Sequence, residues 1–260
     1  MTWRQVSQLP MASISLGLVG AGGRMGRAIA ALAEAQGVEI AGGYGRAGVD
    51  QADLAGLAAA CDVLVDFSAP DALPVTLAAA EAAGTPVVVG TTGLTPQHHA
   101  RIDAAALRVA VLQTANTSLG VNLLRQLVEQ AARALGPDWD IEIVEMHHRH
   151  KLDTPSGTAL LLGASANRGR GEEATGRNRF DRMQEGPHPR EEGGIYYASL
   201  RGGSVAGDHQ VVFAGDGERI ELGHRAETRA IFARGALAAA RWIMGRPAGR
   251  YTMDDVLGSL

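Results

Sequence analysis

Residues 14–35, ISLGLVGAGGRMGRAIAALAEA, join a short β-rich run, a glycine loop and a helical segment. A loop of this kind lets backbone N–H groups approach a pyrophosphate at the N-terminus of the following helix. The spacing departs from the strict GxGxxG pattern, because Met25 stands in place of the third glycine and Gly26 follows one residue later. The stretch predicts a strand, loop and helix unit that binds a dinucleotide.

Further β-rich runs alternate with helical runs in the next part of the chain. Strands are predicted at residues 38–43, 62–68, 85–90 and 109–112, and a helix at residues 71–83. This alternation is typical of a doubly wound parallel sheet, whose ligands lie beyond the carboxyl ends of the strands. Small polar turns follow these ends and are expected to face the dinucleotide, at Ser68, Gly90, Thr91, Thr92, Gly93, Thr114, Ala115, Asn116, Thr117 and Ser118.

The end of the second strand bears on the choice of nicotinamide cofactor. An acid here would bond a ribose 2′-hydroxyl, but the sequence reads Tyr44-Gly45-Arg46. Glu39 lies inside the strand, and Asp50 lies too far beyond it. Arg46 can instead pair with a 2′-phosphate, although a solvated loop arginine is the alternative. The residues therefore favour NADPH over NADH.

A second informative stretch is residues 145–160, EMHHRHKLDTPSGTAL, which contain Lys151, the only lysine among 24 lysine and arginine residues. Lysine is a compact ammonium whose pKa responds to its surroundings, whereas arginine keeps its proton. A single lysine among so many arginines therefore indicates a position that needs a compact charge or a proton donor. His147, His148 and His150 stand beside it, and imidazole transfers protons near neutral pH. The stretch predicts a proton-transfer site.

The same stretch contains a helix start. Thr154 or Ser156 is the expected cap, and the N–H groups of the first turn can hold an anion. A solvated basic turn and a zinc cluster are alternative interpretations of the histidines. Zinc is disfavoured because Cys61 is the only cysteine and no HExxH pattern places two ligands one helical turn apart. No metal is expected.

The organisation changes at Ser118, which is expected to cap a helix that ends at residues 136–137. Residues 166–193 have the composition of a mobile loop. Further strands are predicted at residues 141–146, 195–201, 210–214 and 219–223, the last three as in an antiparallel sheet. Further helices are predicted from Gly157 and at residues 228–244.

Length and composition indicate an ordinary globular protein. The chain has 260 residues, 46% apolar and 20% charged, with a net charge of −4, so two domains are possible and a nucleic-acid-binding face is not expected. One cysteine excludes an internal disulfide and fits a reducing cytoplasm. Residues 1–10 are expected to be a disordered extension. No signal peptide or membrane span is expected near the start, so a cytoplasmic location is predicted.

Six motifs together resemble the bacterial 4-hydroxy-tetrahydrodipicolinate reductase (dihydrodipicolinate reductase) family: GAGGRMG, VDFS, VVVGTTG, NTSLGVN, EMHHRHKLDTPSGTAL and MDDVL. The resemblance spans residues 14–257. It implies an α/β fold, with a Rossmann-like doubly wound parallel sheet formed by residues 1–118 and 228–260. It further implies an inserted α+β domain, residues 119–227, that binds substrate and builds a homotetramer.

The resemblance also implies an activity and roles for individual residues. NAD(P)H would reduce a small cyclic dicarboxylate, 4-hydroxy-tetrahydrodipicolinate, to tetrahydrodipicolinate in lysine and diaminopimelate biosynthesis. His147 would be the general acid/base and Lys151 the proton donor. The dicarboxylate would be held by His148, Ser156, Gly157 and Thr158. The cofactor would be lined by Gly20, Ala21, Gly22, Gly23, Arg24, Met25, Gly90, Thr91, Thr92, Thr114, Ala115, Asn116 and Thr117.

Other functions share parts of this pattern. A Rossmann-fold reductase of the sugar or amino-acid dehydrogenase type leaves the pairing of HHRHK with PSGTA unexplained. A non-enzymatic NADPH-sensing module would bind the cofactor without turnover. A zinc hydrolase would be revealed by metal analysis. The chain departs from the resembled family in two ways: members often carry an acid at the place of Gly45, and the segment after Arg46 is shorter than expected for the family. Both departures leave the choice between NADPH and NADH open on the resemblance alone.

Overall fold

The computed structural model describes residues 13–45, 53–173, 177–180 and 188–258. The contacts divide the chain into two compact units. Unit 1 contains the described residues up to Ser118 and those from Phe232 onward, and unit 2 is Leu119–Ile231. The return to unit 1 thus falls slightly later than the expected residue 228. Residues 1–10 and Arg46, for which predictions are made above, lie outside the described residues.

The described strands and helices follow the chain in alternation over its first half. The strands are β1 (Ile14–Val19), β2 (Val38–Tyr44), β3 (Val63–Asp66), β4 (Val87–Val89), β5 (Ala110–Gln113), β6 (Asp140–His147), β7 (Asn178–Arg179), β8 (Ile195–Arg201), β9 (Asp208–Gly215), β10 (Glu218–Arg225) and β11 (Gly249–Tyr251). The α-helices are α1 (Arg24–Ala33), α2 (Leu54–Ala60), α3 (Leu73–Ala83), α4 (Pro96–Ala106), α5 (Leu119–Leu135), α6 (Gly157–Gly169), α7 (Ala230–Ile243) and α8 (Met253–Leu257).

Unit 1 is built on a six-stranded parallel sheet with the order β2-β1-β3-β4-β5-β11. Its inner strands are mostly apolar, and β3 and β4 are buried along their whole length. A parallel sheet covered on both faces requires such strands. The Rossmann-like parallel sheet is confirmed. The sequence did not reveal α2, α4 or the edge strand β11, because α2 is a short alanine-rich segment, α4 has a weak apolar periodicity, and β11 has only three residues.

Unit 2 contains a five-stranded sheet with the order β10-β9-β6-β8-β7. The pairs β6 with β9 and β9 with β10 are antiparallel, but β8 runs parallel to both β6 and β7. The expectation of an antiparallel sheet is therefore wrong for β8. The reason is the connection between β6 and β8, which contains α6 and is long enough for a crossover between parallel strands.

Strand β6 carries the candidate site residues Glu145 and His147 of unit 2. Its residues alternate between partly exposed and buried, so Ile141, Ile143, Glu145 and His147 all point to the buried face. The first two pack in an apolar cluster that also includes Leu162 of α6. The Glu145 carboxylate and the His147 imidazole therefore lie on the same face of β6 as the apolar side chains of the core.

The expectation of a mobile loop over residues 166–193 is wrong for much of its described part. Residues 166–169 form the last turn of α6, and β7 pairs with β8. The polar side chains here have partners: Asn167 donates to the Asn178 side-chain oxygen at 3.1 Å, and Tyr197 donates to the same oxygen at 3.1 Å. The segment is poor in apolar residues because its polar side chains form hydrogen bonds within the folded unit. Residues 174–176 and 181–187 lie outside the described residues.

Candidate functional site

The glycine loop of unit 1 depends on close backbone packing at two glycines. Gly20 has a φ of +83°, and a Cβ built there would lie 2.5 Å from the Phe67 carbonyl oxygen. A Cβ at Gly26 would lie 2.5 Å from the Gly20 carbonyl oxygen. Gly26 therefore performs the packing role of the third glycine of the GxGxxG pattern, one residue later than the pattern requires. This position explains how the loop tolerates Met25.

Some of the loop N–H groups are used within the loop itself. Gly20 and Ala21 donate to the Tyr44 carbonyl oxygen at 2.8 and 3.3 Å, and Gly23 donates to the Gly20 carbonyl oxygen at 2.9 Å. The first N–H groups of a helix have no intrahelical acceptor and point toward any anion at its N-terminus. In the described residues, the loop amides that this leaves are those of Gly22, Arg24, Met25 and Gly26, and the first three are the candidates for a phosphate.

A cavity of about 450 Å³ lies beside the loop, beyond the carboxyl ends of β3, β4 and β5. It is lined by Arg24, Met25, Phe67, Ser68, Gly90, Thr91, Thr92, Thr114, Ala115, Asn116, Thr117 and Phe232. Every predicted cofactor residue outside residues 20–23 and Arg46 is in this lining. The structure thus brings together turns that follow three different strands, and adds Phe67 and Phe232, which the sequence did not single out.

The buried carboxylate of Asp66 holds two of these turns in place. Its Oδ1 accepts hydrogen bonds from the Ser68 backbone N–H at 2.8 Å, from the Ser68 hydroxyl at 2.6 Å and from the Thr91 hydroxyl at 2.9 Å. The Thr114 hydroxyl orders the third turn by donating to the Asn116 carbonyl oxygen at 2.7 Å. The rim of the cavity is therefore ordered by the chain's own polar groups.

In unit 2, the side chain of Glu145 is the centre of a buried polar cluster. It is 1% exposed, and its Oε2 lies 2.6 Å from Nδ1 of His147. The Arg201 guanidinium donates to both carboxylate oxygens at 2.8 Å, and the Ser156 backbone N–H donates to Oε1 at 3.2 Å. Burial alone would raise the pKa of Glu145, but hydrogen bonds from Arg201, Ser199 and His147 lower it to about 2. The carboxylate is ionised.

His147 is enclosed by a second histidine and a glycine. Its ring meets the ring of His209 edge to face, with centroids 5.1 Å apart. A Cβ at Gly207 would lie 3.0 Å from Nε2 of His147. His209 is also buried, and its Nε2 lies 3.1 Å from the Ser156 hydroxyl oxygen. Burial and the neighbouring His147 lower the pKa of His209 to about 4, so His209 is a neutral neighbour of His147 at neutral pH.

Lys151 and His148 lie in the turn that follows β6. The Lys151 ammonium pairs with Asp153 at 2.8 Å, and its backbone N–H donates to the His148 carbonyl oxygen at 3.1 Å. Nε2 of His148 lies 2.7 Å from the guanidinium of Arg229. Because arginine can only donate, this ring nitrogen accepts. Desolvation lowers the pKa of His148, and the charges of Arg229, His147, His150 and Lys151 lower it further.

The helix start lies next to these side chains in the sequence. Ser156 is the cap of α6, because its hydroxyl accepts from the Ala159 N–H at 3.2 Å, which decides between the two expected candidates. A Cβ at Gly157 would meet nothing within 4 Å, so open space lies in front of the first turn. Thr158 follows in the same turn. The structure therefore assembles cationic groups, imidazoles and a helix N-terminus within one unit.

Several members of the buried polar cluster around Glu145 were not predicted from the sequence. Glu145 could have been found, since side chains two residues apart on a strand point to the same face and His147 was already a candidate. Arg201 and His209 carry no local signal, because they reach the cluster only through the pairing of β8 and β9 with β6.

Within the described ranges, no group of three or more His, Cys, Asp or Glu side chains is placed to hold a metal ion. Nor does that part of the chain contain a helix long and apolar enough to cross a membrane.

Acid should destabilise the protein through His209. Its pKa is lowered to about 4 from an ordinary value of 6.5, because burial disfavours the charged ring and His147 is close. Between these two pH values the unfolded chain binds a proton that the folded chain does not, so stability is complete above the unfolded pKa and is lost as the pH falls toward the folded one. At about 1.4 kcal/mol per unit, the loss through His209 is about 3 kcal/mol.

Urea unfolding at pH about 7 and about 4.5, at one protein concentration, measures this loss. His209→Gln is the control, because the amide can still bond the Ser156 hydroxyl but does not titrate. The wild type should lose more free energy of unfolding between the two pH values than the variant loses. Equal losses would contradict the assignment to His209.

Two family models match the chain in succession. The model described as the N-terminus of dihydrodipicolinate reductase matches residues 14–117, and the model of its C-terminus matches residues 120–257. A 4-hydroxy-tetrahydrodipicolinate reductase from Zymomonas mobilis subsp. mobilis is 57% identical over 249 residues, covering 95% of this chain and 98% of that protein. The enzyme of the same name from Methylocella silvestris is 48% identical over 269 residues, with the same coverage of 95% and 98%.

A solved structure has a similar fold. Dipicolinate-bound dihydrodipicolinate reductase from Paenisporosarcina sp. TG-14 matches with a TM-score of 0.73 at 22% sequence identity, covering 92% of this chain and 97% of that one. At this level of identity the likeness is one of fold.

Proposed function

The chain belongs to the dihydrodipicolinate reductase family and is an oxidoreductase that reduces 4-hydroxy-tetrahydrodipicolinate in lysine and diaminopimelate biosynthesis, and we propose here which of its residues do this work. The resemblance found in the sequence motifs is thereby confirmed. One observation supports the assignment of the chemistry most directly. The buried, ionised carboxylate of Glu145 holds the His147 ring beside the start of α6, and the only lysine of the chain lies with His148 in the turn that follows β6.

We propose that unit 2 holds the dicarboxylate substrate through His148, Ser156, Gly157 and Thr158. Two carboxylates require cationic and N–H partners. The Arg229 guanidinium beside His148 and the amide of Gly157 at the start of α6 are groups of this kind. The open space in front of Gly157 leaves room for a carboxylate where any larger residue would put a side chain.

We propose that His147 and Lys151 carry out the proton transfers of the reaction. When bound, the reduced nicotinamide supplies a hydride to one carbon of the ring. The electron density that collects on the neighbouring ring nitrogen needs a proton, and we propose that Lys151 donates it as a compact ammonium. His147 serves as general acid/base, since its ring is held by a buried carboxylate and its other nitrogen is not used in that bond.

The unit 1 cavity fits a nicotinamide dinucleotide, consistent with NAD(P)H use in this family. The close approaches at Gly20 and Gly26 form a cradle that any Cβ would fill. We propose that the amides of Gly22, Arg24 and Met25 hold the pyrophosphate, and that the hydroxyls and amides of residues 90–92 and 114–117 hold the nicotinamide half.

NADPH is expected to bind more tightly than NADH. Gly45 offers no carboxylate to a 2′-hydroxyl, whereas Arg46 offers a charged fork to a 2′-phosphate. A charge-assisted hydrogen bond is worth about 1.5 to 3 kcal/mol, so the preference should be roughly ten- to a hundredfold. Arg46→Ala should remove most of it and leave NADH binding nearly unchanged. Titration of both nucleotides against both proteins measures this.

Arg24→Ala and Arg27→Ala are the companion variants for this titration, because both arginines lie at the glycine loop and Arg24 lines the cavity. If wild type binds both nucleotides equally, or if Arg46→Ala keeps the preference, the 2′-phosphate is read by one of these two arginines or not at all. A preference that shrinks at high salt would place the reading arginine in solvent.

We propose that the protein is a homotetramer formed through the sheet of unit 2. The face of this sheet opposite Ile141 and Ile143 carries Val144, Met146 and Leu200, and Leu200 is 51% exposed. Gln210 and Glu221 lie on the same face, and an exposed, partly apolar sheet face is a typical association surface. Light scattering of the purified protein measures the assembly. The biosynthetic role of the relatives supports a cytoplasmic location.

One assay tests the function as a whole. NADPH oxidation is followed while freshly made product of a dihydrodipicolinate synthase is supplied, and turnover is expected. Tight NADPH binding without turnover would instead favour the sensing module, and turnover with sugars or amino acids alone would favour another Rossmann-fold dehydrogenase.

A further inference from the structure

We propose that Glu145 is a positioning residue for the reaction: it fixes the His147 ring as the tautomer that is protonated at Nδ1, so that Nε2 is the atom that takes up and releases protons. The proposal rests on the acid/base role proposed for His147, and it concerns how that role is prepared by the fold.

The tautomer follows from the nature of the two partners. An ionised carboxylate can only accept hydrogen bonds. The pKa of Glu145, lowered to about 2, keeps it ionised at every pH at which the protein would work. The 2.6 Å contact from Oε2 to Nδ1 of His147 is therefore an N–H donating to a carboxylate, which requires the proton on Nδ1. Which ring nitrogen is protonated is set by the hydrogen bond of the other in the same way in other histidine sites.

The carboxylate itself has almost no freedom. Arg201 binds both of its oxygens in a bidentate pair, and the Ser156 N–H binds Oε1. Arg201 is held in turn by the carbonyl oxygens of Asp153 and Leu200, each at 2.6 Å. The parallel register of β6 and β8 places Arg201 directly opposite His147. Glu145 is thus oriented by the chain alone, before any ligand binds.

The second nitrogen of the ring is left available. In the described part of the chain, the hydrogen bond to Glu145 is the one that the structure gives the His147 ring. Next to Nε2 stands Gly207, where even a methyl group would come within 3.0 Å. A side chain at this position would press against the nitrogen that exchanges protons. The absence of one keeps Nε2 accessible on that side.

Removal of the charge on Glu145 should therefore affect the tautomer and the electrostatics together. In Glu145→Gln only the amide oxygen accepts: at the position of Oε2 it can still accept from His147 and from one Arg201 nitrogen, whereas at the position of Oε1 the NH2 group faces Nδ1 of His147 and can donate to it, which favours the other tautomer. The Arg201 guanidinium then remains beside the ring without the negative charge of Glu145, which disfavours the protonated imidazole. The pH profile of kcat should move to lower pH.

The test compares Glu145→Gln with Glu142→Gln as the matched control. Glu142 lies on the same strand and also pairs with an arginine, Arg190, but it belongs to the opposite face, and among the described residues it has no hydrogen bond or ion pair with a histidine. The imidazole nitrogen-15 chemical shifts report the tautomer directly. We expect the wild type and the control to show one tautomer protonated at Nδ1, and Glu145→Gln to show both. We expect kcat of Glu145→Gln to fall roughly ten- to a hundredfold, with KM and NADPH affinity nearly unchanged.

Glu145→Asp keeps the experiment decisive if the glutamine variant does not fold. Aspartate retains the charge but withdraws the oxygens from His147, so a lower kcat and a mixed tautomer are expected again. An unchanged tautomer together with kcat within about twofold of wild type, in either variant, would overturn the proposal, as would an equal loss in Glu142→Gln. The nitrogen-15 measurement does not require turnover. A wild type without reductase activity would therefore refute the proposed function and still leave the role of Glu145 to be judged from the tautomer.

Discussion

Lys151→Arg should lower kcat by at least about a hundredfold while NADPH binding stays intact. The substitution keeps the positive charge, and Asp153 can pair with either side chain, since their present 2.8 Å ion pair is partly exposed. A guanidinium does not give up its proton and presents a rigid planar fork instead of a compact ammonium. Loss of kcat in this variant would therefore report proton donation, because the charge at the site is retained.

Steady-state kinetics and NADPH titration measure the effect of Lys151→Arg. Arg149→Lys is the matched control, because it makes the reverse exchange two residues away at an exposed side chain. It should leave kcat and KM near their wild-type values. Near wild-type turnover in Lys151→Arg would mean that the only lysine of the chain supplies charge alone and that the proton comes from elsewhere.

His147→Ala should lower kcat by roughly 10² to 10⁴-fold, whereas His148→Ala should mainly raise KM for the dicarboxylate. The structure separates the two neighbours by their partners. His147 lies on the buried face of β6 against the Glu145 carboxylate, and His148 lies in the following turn against the Arg229 guanidinium. We propose that the first ring transfers a proton and that the second, beside the Arg229 cation, holds a carboxylate.

The kinetic comparison includes His150→Ala, since His150 is exposed and its ring lies 6.4 Å from that of His148. This variant should behave like wild type. His147→Ala leaves the bidentate pair of Glu145 and Arg201 in place, so circular dichroism should show a folded protein. Indistinguishable kinetic profiles for His147→Ala and His148→Ala would contradict the proposed division of roles.

Local patterns were sufficient for much of the fold. Continuous apolar runs predicted the inner strands of the unit 1 sheet to within a few residues, and the glycine loop predicted where a dinucleotide would lie. The only lysine of the chain pointed to the turn after β6 as the proposed proton-transfer site of unit 2. These features depend on residues adjacent in sequence or separated by one strand or helix period, so they can be found without knowing what packs against them.

The partners of those residues were decided only by the tertiary structure. Arg201 is 56 residues from Glu145 and His209 is 53 from Ser156, and nothing near either residue in the sequence marks it as part of a site. The parallel pairing of β8 with β6 brings Arg201 opposite His147, and the antiparallel pairing of β9 brings His209 opposite Glu145. The register between such distant strands depends on the packing of the whole sheet, because a shift of one residue would turn each of these side chains to the other face. The sequence alone therefore determined which groups could carry out the chemistry. Only the pairing of the strands brought Arg201 to Glu145, which keeps this carboxylate ionised and supports the proposed tautomer of His147.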